Sequence, residues 1–187
     1  MGTFVVFFKI EFTNKEERMK KLFVVLLVSA ACIFLAHLFA EEFTFVGAAK
    51  CKMCHRTESQ GQQHPIWEES GHSKSFQQLT SEEGLALQAD APENPECLKC
   101  HSPLAEKAPE LKEEGVTCEL CHGPGSAYKS MTVMKNHEDA VAKGLIAYAS
   151  EEAIKKQCLT CHENAHDKPF DFAAAWEKIK HDKPEAK

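Results

Sequence analysis

The sequence predicts a mainly α-helical chain of short helices and long loops, gathered around covalently held groups instead of a large aliphatic core. Three observations predict this. Helix-start residues recur along the chain, while the alternating apolar–polar runs that mark strands are scarce. Only 9% of residues are aromatic, with two Trp and two Tyr. Nine cysteines and ten histidines are many for 187 residues, and eight of the cysteines fall into pairs at one repeated spacing.

The first element is a leader. Leu22 to Ala40 is an apolar stretch broken only by Ser29 and His37, and Arg18, Lys20 and Lys21 precede it. A basic start, an apolar middle and a small residue at Ala40 read as a secretory signal. Met19 opens that pattern, so residues 1–18 read as an upstream extension. Residues 22–40 are also long enough to span a bilayer, which leaves an uncleaved anchor as the alternative. A lipoprotein reading through Cys32 fits poorly, because apolar residues continue past it and Ser29 does not suit a lipobox. The expected division is therefore 1–40 as extension plus signal peptide and 41–187 as the functional domain. Removing 1–40 takes away five basic and three acidic residues, leaving 17 basic and 25 acidic and a net charge of −8. An acidic surface argues against nucleic acid and for basic or complementary protein partners.

Glu41 to Lys50 reads as an extended segment, with Phe43 and Phe45 available for packing. Pro65 to Leu79 reads as one helix, with Pro65 at its first position and Ile66, Trp67, Phe76 and Leu79 as its apolar anchors. Ser81 is the candidate N-cap of a helix to Gln88. Ala91 to Pro95 is a loop, Ala105 to Glu114 a short helix or turn, and Gly123-Pro-Gly125 a turn. Ser130 to Ile146 and Ser150 to Gln157 read as helices. Asp171 to His181 is the last, stopped by Pro184. Trp67 and Trp176 read as packing aromatics. Glu110, Glu113 and Glu114 read as a solvated acidic face, with steering of a basic redox partner as a secondary role.

The cysteines decide the chemistry. They stand in Cys51-Lys-Met-Cys54-His55, Cys97-Leu-Lys-Cys100-His101, Cys118-Glu-Leu-Cys121-His122 and Cys158-Leu-Thr-Cys161-His162. C-x-x-C-H is the attachment motif of c-type haem. Two thiols add to the two vinyl groups of the porphyrin, and the adjacent histidine supplies the proximal nitrogen to iron. Zinc sites do not demand a histidine after each second cysteine. A disulfide framework would not repeat one spacing four times, and a thioredoxin-like pair normally occurs once. Four haems c are therefore expected, with Cys51, Cys54, Cys97, Cys100, Cys118, Cys121, Cys158 and Cys161 as attachment residues. His55, His101, His122 and His162 are the proximal ligands. The motifs start 46, 21 and 40 residues apart, so no repeat period governs them. So little polypeptide per haem predicts a haem-cored domain whose folding depends on its cofactors.

The spare histidines after residue 40 are His64, His72, His137, His166 and His181. Several are expected as distal ligands, with Met53, Met131 and Met134 as alternatives; a thioether would raise that haem's potential. His64, in a polar Gln-Gln-His-Pro run, reads as a surface or cap histidine. His166, four residues after His162, also reads as surface.

Ile66-Trp-Glu-Glu-Ser-Gly-His72-Ser-Lys-Ser-Phe and Gly115-Val-Thr-Cys118-Glu-Leu-Cys121-His122-Gly-Pro-Gly resemble segments of the cytochrome c-554 family. The order and number of motifs match over about residues 46–184. The resemblance implies a mostly helical small multihaem cytochrome with haems stacked in closely spaced pairs. It implies His72 as distal ligand of the third haem and His181, after Phe170-Asp-Phe…Trp176-Glu-Lys-Ile-Lys, as that of the fourth. For the first haem it implies His137, with Met131 or Met134 as the alternatives. The second haem of that family can lack a distal protein ligand, and an open iron could bind a small molecule such as NO, unless His64 or His166 closes it.

The expected function is electron transfer in the periplasm or another extracytoplasmic space, not catalysis. The expected partners are redox proteins, including a membrane quinol-oxidising or reductase complex, with a tether through residues 22–40 in the anchored form. The rivals are nitrogen-oxide reduction at a five-coordinate second haem and a subunit of an extracellular cytochrome filament. No Gly-rich phosphate loop, acyl-transfer triad or basic nucleic-acid patch is present in the sequence.

Overall fold

The structure, a computed structural model, describes residues 17–29, 42–163 and 165–181. The chain divides into two compact units, Met1–Glu42 and Phe43–Lys187. In the first, α1 covers residues 17–29 and its apolar side chains Leu22 to Val28 are exposed. No helix among the described residues is long and apolar enough to cross a membrane. Cys32, Ala40 and Pro184 lie outside the described residues.

The second unit is built from short helices, and no strand occurs among the described residues. In order they are α2 (Ala48–Lys52), α3 (Gln63–Glu69), α4 (Ser75–Thr80), α5 (Glu82–Leu87), α6 (Pro95–His101), α7 (Cys118–His122), α8 (Met131–Met134), α9 (His137–Ala142), α10 (Glu151–His162) and α11 (Phe172–Ile179). Capping side chains set many of the starts. Ser81 accepts the Gly84 N–H at 3.1 Å and Asn94 the Glu96 N–H at 2.9 Å. Asn136 accepts the Glu138 and Asp139 N–H groups, Ser150 that of Ala153 and Asp171 that of Ala174. Each supplies an acceptor for a backbone donor that the first turn leaves unpaired.

Two expected helices are broken, and polar side chains explain both breaks. The helix expected over 65–79 is α3 and α4, separated by Ser70 to Lys74. Ser70 leaves the helix in an extended conformation, its hydroxyl donates to the Trp67 carbonyl at 2.7 Å and accepts the His72 N–H at 3.2 Å. That local bonding competes with the helical ladder and places His72 in a turn. Pro65 is the third residue of α3, not the first. The helix expected over 130–146 stops at Lys135 and restarts at His137, because Asn136 caps α9. In the other direction, α10 runs past Gln157 to His162 and carries the fourth motif.

The aliphatic core is small. Phe76, Leu79 and Ala91 form its centre, with Cys97 and Leu98 packed against it. The largest fully buried side chains are polar: Glu119, Thr117 and Ser102. The Glu119 carboxylate accepts the N–H groups of Val46 (2.9 Å), Gly47 (2.8 Å) and Gly125 (2.6 Å). It thereby ties the segment before the first motif to the turn after the third. Glu114 accepts the Ala48 N–H at 2.9 Å and the Thr117 hydroxyl at 3.0 Å, so of the expected acidic face this residue is structural, not solvated.

Candidate haem sites

Each C-x-x-C-H motif sits on or at the end of a helix. Cys51 lies in α2, whose last residue is Lys52, and Cys54 and His55 continue in the following turn. The second motif ends α6, the third is α7, and the fourth is the last turn of α10. A helical turn brings residues three apart to one face, so both thiols of a pair point to the same side and the histidine follows beside them. All eight thiols are free.

Three of the motif histidines face a second imidazole. His162 and His72 have ring centroids 6.0 Å apart, His122 and His181 5.7 Å, and His101 and His166 6.1 Å. Metal–imidazole bonds of about 2 Å on either side of one ion put trans ring centroids about 6 Å apart. The three pairs therefore have the spacing that one six-coordinate iron requires. His101 Nδ1 lies 2.9 Å from the Ser75 carbonyl and His181 Nδ1 3.1 Å from that of Ile179. A hydrogen bond at one ring nitrogen fixes the tautomer and leaves the other nitrogen's lone pair for a metal. Burial, with smaller contributions from His181 and His55, pushes the His122 pKa down to about 4. Burial also lowers His72, helped by His162, and lowers His162. Neutral imidazoles are the form that binds iron.

The pairing differs from what the resemblance implies. His72 faces His162, not His122, and His181 faces His122, not His162. The break between α3 and α4 is the reason for the first. It puts His72 in a turn whose carbonyl accepts the Val116 N–H at 3.0 Å, so the turn is fastened just before α7 while its imidazole meets the end of α10. His166 is exposed, as expected, and its ring faces that of His101. His137 is exposed at the first residue of α9, and among the described residues neither it nor His55 forms such a pair. His55 Nδ1 instead meets Gln63 Oε1 at 3.1 Å. Met53 and Met131 are exposed, and Met134 is half-buried.

His64 is buried, contrary to its expected surface role. It packs edge-on against Trp67 at 5.2 Å, and its Nδ1 has no hydrogen-bond partner, the Glu68 carboxylate standing off at 3.7 Å. Trp67 donates to the Val116 carbonyl at 2.8 Å, and Trp176 stacks on Phe172; both are packing residues.

The motifs also approach one another. The nearby Cys51 thiol, with burial, pushes the Cys118 thiol up, and burial with the nearby Cys161 pushes the Cys100 thiol up to about 11. Cys161 Sγ lies 3.9 Å from the Lys99 carbonyl. Burial, then the nearby Cys158 and Cys161, push the Cys121 thiol up to about 11. Tyr128 donates to the His122 and Gly123 carbonyls at 3.1 and 2.8 Å, and Tyr148 to that of Cys121 at 3.0 Å, anchoring the third motif at the middle of this cluster. Phe170 stacks on His162 at 4.5 Å. No group of three or more His, Cys, Asp or Glu closes on a bare ion among the described residues, whereas a flat macrocycle needs only the thiol pair and the facing imidazoles.

Short helices that end on C-x-x-C-H, with facing imidazole pairs and a small aliphatic core, define a multihaem c-type cytochrome. Residues 50–123 match the family described as cytochrome c554 and c-prime. A curated relative, cytochrome c-554 of Nitrosomonas europaea, is 24% identical over 157 residues, covering 73% of this chain and 65% of the relative. The chain thus spans just under two thirds of that relative's length. No solved structure matches.

Proposed function

We propose that this chain is an extracytoplasmic electron carrier with four covalently attached haems, one on each C-x-x-C-H motif. The observation that carries the reading is the set of three imidazole pairs, each with one motif histidine, at the 5.7–6.1 Å that a shared iron requires. Haem iron supplies reversible one-electron chemistry between ferric and ferrous states. The chain's own residues hold its geometry: His162 with His72, His122 with His181, and His55 from the first motif. Two strong imidazole ligands keep an iron low-spin and change little on reduction, which suits electron transfer more than catalysis.

The nearness of the motifs supports an order for the four groups. Cys51 lies near Cys118, Cys121 near Cys158 and Cys161, and Cys161 near Cys100. The sequence first–third–fourth–second forms one connected path, so an electron entering at one end can leave at the other. The net charge of −6 favours a partner with a basic docking face. Reductive titration of the purified holoprotein tests the function. Four one-electron steps and rapid oxidation by a basic redox protein are expected; haem content below four per chain would contradict the reading.

A further inference from the structure

We propose that His166 is the distal ligand of the second haem iron, so that the haem held by Cys97, Cys100 and His101 is closed by two imidazoles of this chain. The inference rests on reading that motif as a haem site. The His166 ring centroid stands 6.1 Å from that of His101, at 73° between ring planes, which matches the spacing of the other two pairs. His101 Nδ1 meets the Ser75 carbonyl at 2.9 Å, and its remaining nitrogen is left for iron.

Backbone conformation gives a second, independent sign. His166 and Asp167 adopt φ of 54° and 55°, a left-handed pair of adjacent non-glycine residues. Side chains take that conformation at a cost, and it persists where something else demands it. Here it lies in a tight 165–167 turn closed by the Lys168 N–H on the Ala165 carbonyl at 3.1 Å. Four residues are enough to reach the second site because the second and fourth motifs are neighbours, with Cys161 Sγ 3.9 Å from the Lys99 carbonyl. Closeness in sequence to His162 is thus what delivers His166 to His101.

A closed second iron has no free face for a diatomic ligand, so nitrogen-oxide reduction loses the site that the family resemblance offered. The second haem then serves as the end of the electron path.

The test uses holoprotein carrying His166→Ala, with haem counted by pyridine haemochrome and located by peptide mapping. With four haems retained, H166A should convert one ferric low-spin iron to high-spin. It should bind one more CO per reduced chain than the parent does, and added imidazole should restore the low-spin signal. His166→Met provides a second route: a thioether in place of imidazole should raise one midpoint potential and leave the other three. Identical spin states and CO stoichiometry in parent and H166A, or unchanged potentials in H166M, would overturn the proposal. Absence of haem on Cys97 and Cys100 in the parent would instead overturn the reading beneath it.

Discussion

His122 and His181 face each other with ring centroids 5.7 Å apart, one closing α7 and the other following α11. The Ile179 carbonyl orients His181 from behind, while burial keeps His122 neutral. The last helix therefore does something that its packing alone does not reveal: it brings a second imidazole to the third motif.

Replacing either distal histidine should change one iron and spare the rest. H181M should raise the potential of the haem on Cys118 and Cys121. The shift should be on the order of a tenth of a volt or more, within the ~0.8 V that axial ligands span. H72M should do the same for the haem on Cys158 and Cys161. Redox titration resolved haem by haem checks both; H181M acting on the fourth haem would return the pairing to that implied by the family resemblance.

Gly115 holds two of these sites together. Its φ is +69°, and an added Cβ would meet Ser75 Oγ and lie 2.7 Å from the His72 carbonyl. Ser75 Oγ is 2.7 Å from the carbonyls of both His72 and His101. G115A should cost about 2–3 kcal/mol of stability in chemical denaturation. It should also perturb the spectra of the second and fourth haems more than that of the first.

Glu119 is predicted to be irreplaceable by its amide. Its two oxygens serve three backbone donors in a buried site. Glutamine offers one acceptor and turns an NH2 toward donors. Both E119A and E119Q should lose about 2–4 kcal/mol, since a charged acceptor is worth more than a neutral one and an orphaned buried donor is costly. Denaturant midpoints of the holoproteins measure this.

The pH dependence has a defined sign at His64. Burial lowers its pKa below the ordinary histidine value. The unfolded chain takes up this proton below about pH 6.5, while the folded chain resists it. Stability from this group is therefore complete above that pH and is lost as pH falls toward the folded value. H64L should flatten the acid-side decline of the melting temperature; an unchanged slope would show that other groups set it.

The helical placement of the motifs is legible because it is local: three-residue spacing on a helix needs no tertiary knowledge, and Cys118-Glu-Leu-Cys121-His122 reads the same folded or not. The cap at Ser81 is legible for the same reason. Ligand pairing is not, because it depends on which loops meet. His72 could be picked out as a ligand by resemblance, but its partner was set by the break at Ser70. His166 carried no signal beyond its place after His162, since the left-handed turn that aims it at His101 has no glycine to mark it. Glu119 stands between two cysteines with no sequence signal of its own, and only the folded approach of Val46, Gly47 and Gly125 gives it a role.

The most direct test of the account is the intact mass of the denatured holoprotein, because thioether-linked haem survives unfolding. The expected mass is that of the polypeptide plus four haems, localised to Cys51/Cys54, Cys97/Cys100, Cys118/Cys121 and Cys158/Cys161. A mass equal to the bare polypeptide, or any of these pairs recovered as free thiols or a disulfide, would contradict it.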